Sequence, residues 1–156
     1  MRYTLFSLLI LFATIVLGAC SNFETSGNGA FDGYWQLERM DTLATGGSTD
    51  MRERLVFWAV QHHLIELCDR HEDTLAYGPV NASVFYHFQR SADSLFFLAD
   101  PLPVTDNRAW ADPYATLENV AVYGFSRFDE AFRMVQLDDD NMILQSKFYR
   151  MYFRKY

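Results

Sequence analysis

The chain is poor in the residues that several function classes need. It has two cysteines, Cys20 and Cys68, in 156 residues. No framework of several disulfides can hold it, so the fold must rest on an apolar core. Basic residues are outnumbered, 13 against 20 acidic, for a net charge of −7. The one adjacent basic pair is Arg154-Lys155. Neutralising nucleic-acid phosphates takes clustered Lys and Arg, so nucleic acid is excluded as a partner. The four histidines are His62, His63, His71 and His87. None forms the His-x-His or His-x-x-x-His spacing that offers one metal two nitrogens from one face. On a strand, His62 and His63 would point to opposite faces. No metal and no cofactor is implied. Cys68 lies beside Asp69 with no positioned base, which a nucleophile requires. It reads as a small buried apolar residue, and no catalytic residue is assigned. Asp138-Asp139-Asp140-Asn141 lacks the Gly and distant Glu of a calcium loop. It reads as a solvated turn.

A long apolar span is also missing, but a shorter one is present. Arg2 precedes an almost purely apolar run from Leu5 to Val16. A bilayer span needs about 20 apolar residues, so the run fits the core of an export signal instead. Leu17-Gly18-Ala19-Cys20 follows and resembles the lipobox of bacterial lipoproteins. That resemblance implies cleavage before Cys20, a diacylglycerol thioether on its sulfur, and a membrane anchor. Two acyl chains anchor stably where one is marginal. Residues 1–19 are thus expected to be a signal peptide. Residues 20–30 are expected to be the lipidated cysteine and a small, polar, flexible tether, and 31–156 one domain. The same resemblance implies, from Ser21 rather than Asp after the cysteine, the outer membrane of the cell envelope. The sequence does not say whether the domain faces the periplasm or the cell surface. Without Arg2 the remaining chain is one unit more acidic still.

The domain is rich in aromatics, 17% of the chain, and alternates with the period of two that marks strands. Trp35 and Leu37 share one face of Gly33 to Asp41, with Gln36 and Glu38 on the other. Thr42 to Asp50 is Gly/Ser/Thr-rich and reads as a loop. Arg54 to Val60 is apolar on both faces, so both are expected to be covered. Further strands are expected at His63 to Asp69, Ser83 to Arg90, Leu95 to Leu98, Phe132 to Leu137, Met142 to Gln145 and Phe148 to Lys155. One short helix is expected before the last three strands. It would begin near Asp112 or Thr116, place Leu117, Val120 and Ala121 on one face, and end at Gly124. Crossover segments long enough for parallel pairing are few. The expectation is an all-β, antiparallel, up-and-down barrel of about eight strands, with a two-sheet sandwich as the alternative.

Gly33-Tyr34-Trp35 resembles the Gly-x-Trp signature of lipocalins and other calycin barrels. Together with the lipobox and the ending Phe153-Arg154-Lys155-Tyr156, the whole body resembles the small lipocalin-like lipoproteins of Bacteroidetes. The resemblance implies that Trp35 plugs one end of the barrel and that a basic residue of the last strand packs across it. Arg150 and Arg154 both qualify, and Arg154 is the barrel-closing candidate taken here. Arg150-Met151-Tyr152 resembles the Arg-x-Tyr pair that holds a carboxylate in fatty-acid-binding barrels. Arg150 and Tyr152 are therefore the ligand-binding candidates. Asp41-Thr42-Leu43, Asp73-Thr74-Leu75 and Asp93-Ser94-Leu95 resemble the Bacteroidetes O-glycosylation acceptor, which would place glycans on Thr42, Thr74 and Ser94. The same residues are also ordinary turn formers.

The functional expectation is a membrane-anchored envelope lipoprotein whose barrel takes a small apolar or amphipathic ligand. The alternative is a barrel filled by its own side chains that serves as a non-catalytic subunit beside an envelope protein partner. Sequence alternation cannot separate the two.

Overall fold

The computed structural model describes residues 26–70, 83–97 and 117–156. Nine strands form one antiparallel sheet: β1 (Gly33–Thr42), β2 (Gly47–Asp50), β3 (Val56–Gln61), β4 (Leu64–Asp69), β5 (Ser83–Arg90), β6 (Ser94–Phe97), β7 (Ala131–Leu137), β8 (Asn141–Gln145) and β9 (Tyr149–Lys155). Each strand from β3 to β8 pairs with its successor, and β9 returns to pair with β1. The expected up-and-down barrel is thereby closed by eight strands, with no free edge along its wall.

The ninth strand is a departure from the sequence reading. Gly47–Asp50 was expected to lie in a loop, but it pairs with Arg39 to Thr42 as β2. All four of its residues are exposed, so no apolar alternation betrays it. Backbone pairing makes it. β3 occupies the edge of β1 only from Gly33 to Gln36, and β2 takes up the free hydrogen-bonding groups beyond. Between them the chain leaves the sheet through a 3-10 turn at Arg52–Arg54 and a left-handed Leu55 (φ 56°). The strand expected from Arg54 therefore begins at Val56.

Alternation sets the barrel interior. Trp35 and Leu37 of β1, Trp58 of β3, Tyr86 of β5, Phe97 of β6, Phe132 of β7 and Phe153 of β9 all face one buried core. On β3 the outward Phe57 is also buried, stacked on Tyr34 at 4.6 Å and edge-on to Tyr156. Both faces of that strand are covered, as its sequence implied.

The helix is described as α1 (Leu117–Ala121), and its expected starts at Asp112 or Thr116 lie outside the described residues. Val120 is fully buried, but Leu117 is exposed. Gly124 follows in a left-handed conformation (φ 89°). A Cβ there would lie 2.0 Å from the Met151 sulfur, so glycine is required both for the turn and for the close approach. The chain then carries Phe125 into the barrel.

The two ends of the barrel differ. One holds the start of β1, the β3–β4 turn at His62 and His63, the β5–β6 and β7–β8 turns, and the end of β9. A 3-10 turn at Gly29–Phe31 crosses this end and plugs it with the buried Phe31. The other end, called the mouth for brevity, carries the β1–β2 and β8–β9 turns, the end of β4 and the start of β5, and is covered in part by α1 and the turn after it, whose Val120, Tyr123 and Phe125 are buried in the core. Residues 71–82 and 98–116 lie outside the described residues. Among the described residues, no helix is long and apolar enough to cross a membrane.

Candidate functional site

Trp35 stands at the closed end. It is fully buried, and its indole N–H donates to the Phe31 carbonyl at 2.8 Å. The basic residue across it is Lys155, not Arg154. Lys155 Nζ lies 4.8 Å from the Trp35 ring centre and donates to the Ala30 carbonyl at 3.0 Å. Register explains the correction. Trp35 is paired directly with Lys155, whereas Arg154 is paired with Gln36, and directly opposed residues share a face. Arg154 accordingly points outward and binds Glu38 at 2.8 Å. The signal was present in the sequence: Lys155 has the parity of Met151 and Phe153, the apolar face of β9. Gly33 completes this plug. A Cβ there would lie 2.7 Å from Lys155 Cε, so the glycine two residues before Trp35 makes room for the lysine stem.

The same parity moves the ligand-binding candidates out of the barrel. Arg150 and Tyr152 both stand on the outer face of β9. Arg150 donates to Gln145 Oε1 at 2.9 and 2.6 Å. Tyr152 lies under the Arg39 guanidinium, 3.7 Å from its ring centre. It lines an external groove of about 580 Å³ with Glu38, Arg39, Asp50, Arg52 and Gln136. The cations of that groove are committed to carboxylates, Arg39 to Asp41 at 3.2 Å and Arg52 to Asp50. The structure therefore gives no interior carboxylate clamp at Arg150 and Tyr152.

The other sequence candidates are dispersed. Thr42 is half-buried at the end of β1, and Ser94 donates to Asp93 at 3.0 Å at the start of β6. Cys20, Thr74 and His71 lie outside the described residues. Cys68 is fully buried on the outer side of β4. Its sulfur is 3.4 Å from the Tyr34 hydroxyl, and burial pushes the thiol pKa up, away from reactivity. His62 and His63 form an exposed turn. Asp138 caps the β7–β8 turn, accepting from the Asp140 and Asn141 amides at 3.0 and 2.7 Å. Donors from Gln136 and those amides hold its carboxyl down at about 2. Among the described residues, no group of three His, Cys, Asp or Glu side chains is placed to hold a metal.

The interior is an aromatic chamber. Trp58 packs against Phe97, Phe125, Phe132 and Phe153 with ring centres 5.1–5.7 Å apart. Tyr86 stacks on Phe125 at 5.3 Å and meets Phe97 edge-on at 5.5 Å. Phe125 is the member that no strand supplies. It is held by the turn that follows, where buried Glu130 accepts from the Ser126 amide at 3.1 Å and from its hydroxyl. Two polar atoms inside this chamber have no partner among the described residues: Trp58 Nε1 and the Tyr86 hydroxyl. Both residues are fully buried. Burial pushes the Tyr86 hydroxyl pKa up to about 12. Buried polar groups are normally paired, and Trp35, with its bond to Phe31, obeys that rule. The Trp58 and Tyr86 pair departs from it. Sequence reasoning placed both residues on strands but could not single them out, because an orphan is defined by what surrounds it.

The model of the lipocalin-like domain family matches residues 14–156. The chain belongs to that family. Two solved structures share the fold. The first, a lipocalin-like protein from Bacteroides uniformis, is 20% identical with a TM-score of 0.59, over 82% of this chain and all of that one. The second, an uncharacterized protein from Bacteroides eggerthii, is 16% identical with a TM-score of 0.58, over 81% of this chain and 99% of that one. No curated protein matches the chain. At such identities the likeness carries the fold alone, so the chemistry of this lipocalin-like barrel rests on its own side chains.

Proposed function

We propose that this lipocalin-like domain is a non-catalytic binding module. It takes a small, mainly apolar ligand into the aromatic chamber, and the chain is held at the cell envelope, at the outer membrane, by a lipid on Cys20. One observation carries the ligand reading: inside an otherwise apolar interior, the Trp58 N–H and Tyr86 hydroxyl have no partner among the described residues. An unpaired buried polar group costs about 1–3 kcal/mol, a cost that a ligand offering one acceptor would remove. The described interior is closely packed by rings, so the ligand is compact, and its apolar part is matched to Phe97, Phe125 and Phe132. Fold kinship supports the reading only in general, since barrels of this size either hold one small ligand or fill themselves.

Native mass spectrometry of the chain purified gently from its own host tests it. An adduct that is lost on denaturation, and is reduced in Trp58→Phe and Tyr86→Phe, is the expected result. A clean apo mass in wild type would overturn the ligand reading. The position of Phe125, filling the chamber from outside the sheet, would then favour the second reading, a self-filled barrel acting beside an envelope protein.

A further inference from the structure

The described chain begins at the closed end of the barrel, opposite the mouth. The chain enters the domain at the closed end, where Ser26 bonds to Asp32 and Asn28. Asn28 donates to the His62 carbonyl and to Asp32, and Arg90 donates to the Asn28 carbonyl at 2.6 Å. The entry point is thus tied to β1, the β3–β4 turn and β5. Six peptide steps separate Ser26 from Cys20. Even fully extended they reach about 21 Å.

The barrel is longer than that reach. β1 has ten residues. At about 3.4 Å per residue they run about 30 Å along the strand. A strand tilt of 35–45° leaves about 23 Å along the barrel axis. The turn at 43–46 extends the mouth further, and Ser26 to Asp32 lies before β1 at the other end. Turning the mouth onto the membrane would lift Ser26 beyond the range of its own tether.

From this geometry we infer that the closed end faces the membrane that holds Cys20, and that the mouth end points away from it. Ligand exchange then takes place with the aqueous side or with a partner there, not with the anchoring leaflet. The inference rests on the lipidation of Cys20 proposed above. It gives a meaning to two exposed apolar residues at the mouth. Leu43 and Phe148, each 42% exposed, are joined by a backbone bond of 2.8 Å between the β1–β2 and β8–β9 turns. They would ordinarily suggest insertion into lipid. The tether denies them that membrane and leaves them exposed on the aqueous side. The exposed aromatic at the closed end is Tyr156, 77% exposed and packed edge-on to Tyr34 and Phe57. It has the amphipathic character of interfacial aromatics.

The test uses the full acylated chain in vesicles of phosphatidylcholine and phosphatidylglycerol that carry a headgroup nitroxide. A fluorophore is placed singly at Gln61→Cys or Asp139→Cys at the closed end, or at Thr45→Cys or Lys147→Cys at the mouth. Cys68→Ala supplies the background, and two sites at each end guard against one variant failing to fold. All four positions are exposed. The expected result is quenching several-fold stronger at Gln61 or Asp139 than at Thr45 and Lys147. Acylated protein quenched as strongly at the mouth overturns the orientation and leaves the lipidation standing. An intact mass without the diacylglycerol overturns both.

Discussion

Tyr86→Phe removes one oxygen from the centre of the barrel, and its effect follows from the surroundings of that atom. The hydroxyl is fully buried beside Phe97 and Phe125 and has no partner among the described residues. Protein mutational data put the cost of such a group at about 1–3 kcal/mol. Phe keeps the ring, its stacking on Phe125 and its volume, so no cavity opens. The ligand-stripped variant should therefore gain about 1–3 kcal/mol. At about 4 °C per kcal/mol for a domain of this size, its melting temperature rises by about 4–12 °C. The pH dependence gives an independent check. Burial raises the Tyr86 pKa from 10.0 to about 12 in the folded state. Between these values the folded protein keeps a proton that the unfolded chain has released. The contribution is therefore complete below pH 10 and is lost as pH rises towards 12. Denaturant unfolding from pH 9 to 12 should show a steeper loss of stability in wild type than in Tyr86→Phe. A variant that melts lower than wild type, with an unchanged alkaline profile, would show that the hydroxyl has a structural partner and refute the reasoning.

The remaining predictions concern the two ends of the barrel and the chain that fills it. Lys155→Met should cost about 0.5–2 kcal/mol through loss of the stack on Trp35. Arg154→Ala, which removes an exposed pair, should cost no more than about 1 kcal/mol. Urea midpoints compare the two, and a larger loss at Arg154 would contradict the register. Gly124→Ala meets the Met151 sulfur and a left-handed backbone, so about 2–4 kcal/mol should be lost. Gly124→Ala with Met151→Ala should recover the steric part in thermal melts. Asp138 is held down at about 2 against an ordinary 3.8. Its contribution is present above pH 4 and is lost as pH falls towards 2, so Asp138→Ala should flatten the acid limb of the stability profile.

Period-two alternation and short turns were enough to read an antiparallel barrel from the sequence, because burial on one face of a strand leaves a mark every second residue. The covered Cys68 and the solvated Asp138 turn were legible from their neighbours in sequence, and the structure describes both; the lipobox resemblance at Leu17 to Cys20 lies outside the described residues. β2 escaped because nothing about it is buried. It exists to satisfy the backbone of β1 where β3 has departed, and no side chain records that need. The basic residue over Trp35 was misassigned for a related reason. Which of Arg154 and Lys155 faces inward depends on the pairing of β9 with β1, and one step of register exchanges the two faces of a strand. Parity alone would have set Arg150, Tyr152 and Arg154 apart from Met151, Phe153 and Lys155, but only closure of the barrel made one set the inside. Closure also brought Phe125, from a turn distant in sequence, against Trp58 and Tyr86. The sequence by itself determined the class of fold, through local alternation and turn chemistry. Tertiary structure decided the candidate site, because an unpartnered polar atom is a property of the space around it.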